Sequence, residues 1–169
     1  SDLAEGRRPI CQDTGIATVF LKVGMNVRWE SATMTVSEMV NEGVRQAYNF
    51  KDNVLRASVL ADPAGTRKNT KDNTPAVIHY ELVAGDGIEV ICAAKGGGSE
   101  AKSKLAMLNP SDSIVDWVVK TVPTMGAGWC PPGILGIGIG GTPEKAALLA
   151  KESLMDPVDM PELLARGPR

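Results

Sequence analysis

Three cysteines, at positions 11, 92 and 130, are the residues best suited to carry chemistry in this chain of 169. Cys11 opens the run Cys11-Gln12-Asp13-Thr14-Gly15, which sets a thiol, an amide, a carboxylate and a hydroxyl side by side and ends in glycine. Cys92 stands just before Lys95-Gly96-Gly97-Gly98-Ser99-Glu100, and Cys130 just before Pro131-Pro132-Gly133. Glycines admit close backbone approach and prolines fix φ, so each thiol has a conformationally special neighbour. Three thiolates are one short of the usual four that hold an iron–sulfur cluster. A [4Fe–4S] cluster on three cysteines leaves one iron open as a Lewis acid for a substrate oxygen, which suits removal of hydroxide. The gaps between the cysteines fit no local motif, so the fold has to bring them together.

Other readings of the same chain stand beside this one. Gly136-Ile137-Gly138-Ile139-Gly140-Gly141 fits GxGxxG between an apolar run and a helix, the context of a dinucleotide site. The acid that would bind a ribose about twenty residues later has no strand to carry it. Close packing of strand and helix is the plainer use of these glycines. A structural domain with three incidental buried thiols is the third reading. Arg56, between apolar residues, reads as a surface arginine covering its neighbours. His79 lacks the sequence partners that a ligand or base needs.

The bulk properties bound the class. The chain is 43% apolar and 22% charged, an ordinary globular mixture long enough for one sizeable core. A net charge of −2 without a long like-charge run points to neither nucleic acid nor an anionic membrane. No apolar run reaches bilayer length, and the opening Ser1–Arg8 lacks a signal-peptide core. It also lacks an initiator Met, so the chain reads as a piece of something longer. An odd cysteine count, no CxxC and a single histidine argue against a disulfide framework or a zinc site and for a reducing compartment.

The elements that must position the thiols follow from pattern. Ile16 to Val23 is β-rich and reads as a strand. Thr35-Val36-Ser37-Glu38 matches a capping box, and Met39, Val40, Gly43, Val44 and Ala47 continue it as a helix to about Tyr48. Ala61–Gly65 is a turn and Thr66–Thr74 a polar loop. Ala76–Val83 is expected to pair with Ile88–Ala94 as a hairpin across Gly85-Asp86-Gly87. Ser111–Ser113 caps a helix over Ile114–Val119 that Pro123 ends. Ile134–Ile139 is expected as a buried strand, Thr142 and Pro143 begin a helix to about Met155, and the tail to Arg169 reads as a connector. The expected fold is a single mixed α/β domain with a largely antiparallel sheet.

A resemblance joins these pieces. Cys-Gln-Asp-Thr-Gly at Cys11, Cys-Ala-Ala-Lys-Gly-Gly-Gly-Ser at Cys92 and Cys-Pro-Pro-Gly followed by Ile-Gly-Gly-Thr at Cys130 resemble the motifs of class I fumarate hydratases. These are the oxygen-sensitive iron–sulfur enzymes related to the α component of L-tartrate dehydratase. The motifs keep the family order over residues 11 to 142, and Asn69–Ala76 is similar to a family loop.

The resemblance implies that Cys11, Cys92 and Cys130 ligate a [4Fe–4S] cluster. It implies that Gln12 and Asp13 face the substrate, with Asp13 near the proton transfer. Arg56, in Asn53-Val54-Leu55-Arg56, would pair with a substrate carboxylate, and Asn73 and Thr74 would line the site. Residues 1–169 would then be the N-terminal cluster-binding domain of a cytoplasmic hydro-lyase that interconverts fumarate and L-malate. A C-terminal domain or β subunit would supply the rest of the site and the base, the complete enzyme would be a homodimer, and this chain alone would be inactive. Tartrate or a methyl-substituted fumarate is the alternative substrate. The chain departs from the family pattern at Ala101, where an asparagine is expected, and at Lys71, where some members have glycine.

Overall fold

A computed structural model describes residues 14–130 and 133–167. Cys11, Gln12, Asp13, Pro131 and Pro132 lie outside the described residues. The chain forms two compact units, one of residues 1–104 and 108–131, the other of residues 105–107 and 132–169. The mixed α/β class expected from the sequence is the class observed.

The first unit is built on β1 (Ile16–Gly24), the middle strand of three. Ala17, Val19, Phe20 and Leu21 are its buried apolar core, and Thr18 is buried with them. A strand covered on both faces reads as a continuous apolar run, as this one does. The helix α1 (Val36–Asn49) begins where Thr35 Oγ1 accepts from the Glu38 amide at 3.2 Å and Glu38 Oε2 accepts from the Thr35 amide at 2.7 Å. Those two bonds satisfy amides that the first helical turn leaves free. Val44 is its buried residue. Two short strands, β2 (Leu60–Ala61) and β3 (Lys68–Asn69), pair antiparallel around the expected turn.

β4 (Val77–Val83) and β5 (Ile88–Lys95) form where strands were expected, but they do not pair with each other. β1 lies between them, parallel to β4 (Thr18 opposite Val77) and antiparallel to β5 (Val19 opposite Cys92). β1 offers its apolar run to both strands, and the long connection through α1 allows the parallel pairing. The glycine turn instead wraps the end of β1: the Gly24 amide donates to Gly87 O and the Asn26 amide to Gly85 O, both at 2.9 Å. His79 stacks on Phe20 with ring centroids 4.9 Å apart, a strand histidine as read from the sequence.

Beyond β5 come a single helical turn, α2 (Gly97–Glu100), then α3 (Ile114–Thr121) with its Ser113 cap, and a 3-10 turn over Val122–Met125 that accommodates Pro123.

The second unit holds α4 (Pro143–Ser153) and α5 (Met160–Arg166). Residues 134–139 form no strand there, and Ile134, Leu135, Ile137 and Ile139 are exposed. A β-carbon on Gly136 or Gly138 would collide with the carbonyls of Ala150 and Ala146, so the segment lies directly on the α4 backbone. That close approach replaces a strand ladder. The tail is a helix and not a connector: Asp159 Oδ1 accepts from the Glu162 amide at 3.1 Å and caps α5. Among the described residues no helix is long and apolar enough to cross a membrane.

Candidate active site

The site is built where β1 begins and β5 ends. Gly15 has φ +69, and a β-carbon there would run into the Lys95 carbonyl. This contact ties the residues just after Cys11-Gln12-Asp13 to the residues just after Cys92. On the other side of the same loop, a β-carbon on Gly98 would run into the Gly128 carbonyl, and Ser99 Oγ donates to Trp129 O at 3.3 Å. The loop after Cys92 therefore touches the segment that leads into Cys130. Lys95 and Glu100 form an ion pair of 3.6 Å across the loop, both largely covered.

Cys92 and Cys130 are both exposed. Cys130 holds a left-handed backbone, φ +60, with its amide bonded to Ala127 O at 3.1 Å. Cys92 lies near Tyr48. Burial pushes the Tyr48 phenol up, hydrogen bonding with Thr14 counters this, the charge of Cys92 raises it again and a bond with Asn73 lowers it. Among the described residues no three His, Cys, Asp or Glu side chains converge as a metal site; Cys11 and Asp13 lie outside that set.

Arg56 is exposed, and its guanidinium has no carboxylate partner among the described residues. Its main chain, by contrast, is fixed: Thr14 Oγ1 donates to Arg56 O at 2.5 Å. Arg45 is the opposite case. Its guanidinium is committed to Asp72 at 3.0 Å and to Glu42. Among the described residues no carboxylate engages Arg56 as Asp72 and Glu42 engage Arg45.

Asn73 is completely buried, with φ +58. Its Nδ2 donates to Gly15 O at 3.1 Å, and its Oδ1 accepts from the amides of Ser58 at 2.8 Å and Val59 at 3.2 Å. Ser58 Oγ adds a bond to Gly15 O at 3.3 Å. Thr74 Oγ1 donates to Asp72 Oδ1 at 2.7 Å, and its amide donates to the same oxygen at 3.0 Å. Thr74 also borders an open pocket of about 480 Å³ with Thr33, Met34, Glu38, Asn41, Arg45 and Pro75, whose charged groups are already paired. Tyr48 and Ser58 did not stand out in the sequence. Neither belongs to a motif, and only contacts give them a place: Tyr48 with Thr14 O, Ser58 with Gly15 and Asn73.

Of the glycines 136–141, two pack closely, the plainer use expected from the sequence. Gly136 and Gly138 are spent on α4, and the Thr142 hydroxyl holds the Glu144 carboxyl below its ordinary range at the helix start.

Comparison with known proteins accounts for this arrangement. The family model described as fumarate hydratase (Fumerase) matches residues 2–166. The chain is 41% identical over 159 residues to "Putative L(+)-tartrate dehydratase subunit alpha" of Methanocaldococcus jannaschii, covering 89% of this chain and 54% of that protein. It is 28% identical over 154 residues to an L(+)-tartrate dehydratase subunit alpha of Escherichia coli, covering 89% of this chain and 50% of that one. With the anaerobic class I fumarate hydratase of Escherichia coli K12 it shares 35% identity over 144 residues, 82% of this chain and 25% of the relative. The chain thus spans about half the length of the tartrate dehydratase subunits that it matches. By the extent of the family match and by these identities, it belongs to the fumarate hydratase (Fumerase) family, as a class I-like domain.

Proposed function

We propose that this chain is the cluster-holding part of a hydro-lyase that adds water reversibly to a four-carbon unsaturated dicarboxylate, fumarate giving L-malate. Cys11, Cys92 and Cys130 would hold a [4Fe–4S] cluster. Soft thiols are the donor set such a cluster needs. The observation that carries the reading is the seam of Gly98 on Gly128, which joins the loop after Cys92 to the segment before Cys130. When bound, the cluster supplies a Lewis-acidic iron with an open position for substrate oxygen.

The chain's own residues do the rest of its share. Arg56 grips a substrate carboxylate with a bidentate pair of hydrogen bonds and fixes its orientation. Gln12 and Asp13 face the substrate, and Asp13 stands near the carbon-bound proton that is exchanged. Thr74 lines the same side. The base and further carboxylate ligands belong to a C-terminal domain or β subunit, so this chain alone is inactive. The complete enzyme is a cytoplasmic homodimer.

A second reading has its own support: the relatives at 41% and 28% identity are named for L(+)-tartrate. The elimination chemistry is shared, and one substrate hydroxyl separates the two.

The test is anaerobic reconstitution of the whole protein, this chain with its remaining half, followed by iron and acid-labile sulfide analysis of wild type and of Cys11→Ala, Cys92→Ala and Cys130→Ala. About four irons per chain, lost in each variant, is the expected result. Turnover of fumarate against L-tartrate then assigns the substrate. A whole protein that takes up no cluster would reject the reading.

A further inference from the structure

We infer that Asn73 is a positioning residue that holds the Arg56 main chain against Thr14 and Gly15 at the entry to β1, and does not itself touch substrate. The inference rests on the hydro-lyase reading and deepens it.

Asn73 is the one polar side chain among the described residues that is fully buried. Its side chain bonds to two segments of backbone at once, Gly15 and Ser58 with Val59, and so ties both to its own loop. An Asn amide has two donors and one oxygen with two acceptor sites. Both acceptor sites are taken by Ser58 and Val59. One donor is taken by Gly15, and the whole side chain is completely buried. Burial, with both acceptor sites filled, closes the amide to a substrate. What the bonds fix is geometry. Gly15 is two residues after Asp13, and Ser58 is two residues after Arg56. The Thr14 hydroxyl closes the same ring on Arg56 O. Arg56 is exposed and its guanidinium has no partner among the described residues, so this ring, acting on its main chain, sets its place.

A displaced carboxylate clamp loses binding steeply with distance. The experiment is a double-mutant cycle on the reconstituted whole protein, with the affinity for succinate, an unreactive four-carbon dicarboxylate, measured by calorimetry. Asn73→Asp keeps the acceptor for Ser58 and Val59 and loses the donor to Gly15. It should weaken succinate about tenfold in the wild-type background and have little effect in an Arg56→Ala background, because its influence runs through Arg56. The same loss in both backgrounds would mean direct contact and overturn the inference, as would no loss in either. If Asn73→Asp does not fold, Ser58→Ala removes one bond of the ring and runs the same cycle. A wild-type protein that holds its cluster but binds no succinate would sink the hydro-lyase reading, and the inference with it.

Discussion

Gly98 stands so close to Gly128 that a β-carbon on it would overlap the Gly128 carbonyl, and this contact is the seam between the loop after Cys92 and the segment before Cys130. Its backbone is helical and not left-handed, so a substitution meets only the steric problem. Gly98→Ala should destabilise the fold by about 1–3 kcal/mol, the usual cost of overpacking, and should lower iron uptake because the two loops part. Gly43 is the control. It lies in α1 with nothing within 4 Å of its would-be β-carbon. Gly43→Ala should stabilise by about 0.5–1 kcal/mol through helix propensity alone. Urea denaturation of the two variants, with iron analysis of each, reads both expectations; equal and opposite behaviour in iron content is not expected, since Gly43 touches no cysteine segment.

Arg56 should act on substrate and not on stability. Its guanidinium is exposed and has no carboxylate partner among the described residues, so removing it takes no described ion pair away. Arg56→Lys keeps the charge but loses the planar fork, and should raise the KM of the reconstituted enzyme about tenfold. Arg56→Ala should raise it about a hundredfold, the scale of a lost charge-assisted hydrogen-bond pair. The melting temperature should stay near that of wild type in both. A fall of several degrees without a KM change would assign Arg56 to the fold.

Lys71 carries a glycine's backbone. Its φ is +73, in the left-handed region that costs a residue with a β-carbon about 1–2 kcal/mol. Its amide is held there by Asn69 Oδ1 at 2.7 Å, and its side chain is exposed. The substitution that the family pattern suggested thus leaves the turn shape intact and adds strain. Lys71→Gly should stabilise the protein by about 0.5–1 kcal/mol, the part of that strain not offset by the greater freedom of glycine in the unfolded chain. Loss of stability in chemical denaturation would show that the Lys71 side chain contributes contacts of its own.

What was legible in the sequence was local. The capping box at Thr35 and Glu38 needs only residues three apart, and it formed as read. The three long strands also announced themselves by composition. Their order did not, because a turn such as Gly85-Asp86-Gly87 favours a hairpin locally while β1, sixty residues earlier in the chain, competes for both strands. α5 was legible and passed over: Asp159, Pro161 and Glu162 are a helix start in plain view. Residues 134–139 misled by being apolar, when Gly136 and Gly138 were the informative positions. At the site, residue types suggested Arg56, Asn73 and the cysteines. The ring that joins Gly15, Ser58 and Asn73 is made of contacts more than ten residues apart and leaves no local trace.

Asp72 joins the Thr74 loop to α1 and makes a pH-dependent contribution to stability. Burial pushes its carboxyl up, but the Thr74 hydroxyl and amide and the Arg45 guanidinium outweigh that and bring it to about 2, against an ordinary 3.8. A carboxyl with a lowered folded value stabilises above its unfolded value and loses that contribution as pH falls through the folded one. The contribution is therefore complete above about pH 4 to 5 and is lost between about pH 4 and pH 2. Solvent around the half-open Arg45 screens the pair, so about 1–2 kcal/mol is expected rather than the full value of the shift. Asp72→Asn should be less stable than wild type by that amount at about pH 6, and the gap should close as both proteins approach pH 2. Urea midpoints of the cluster-free whole protein across this range make the comparison. A gap that stays constant with pH would mean that Asp72 acts through its hydrogen-bonding shape and not through its charge.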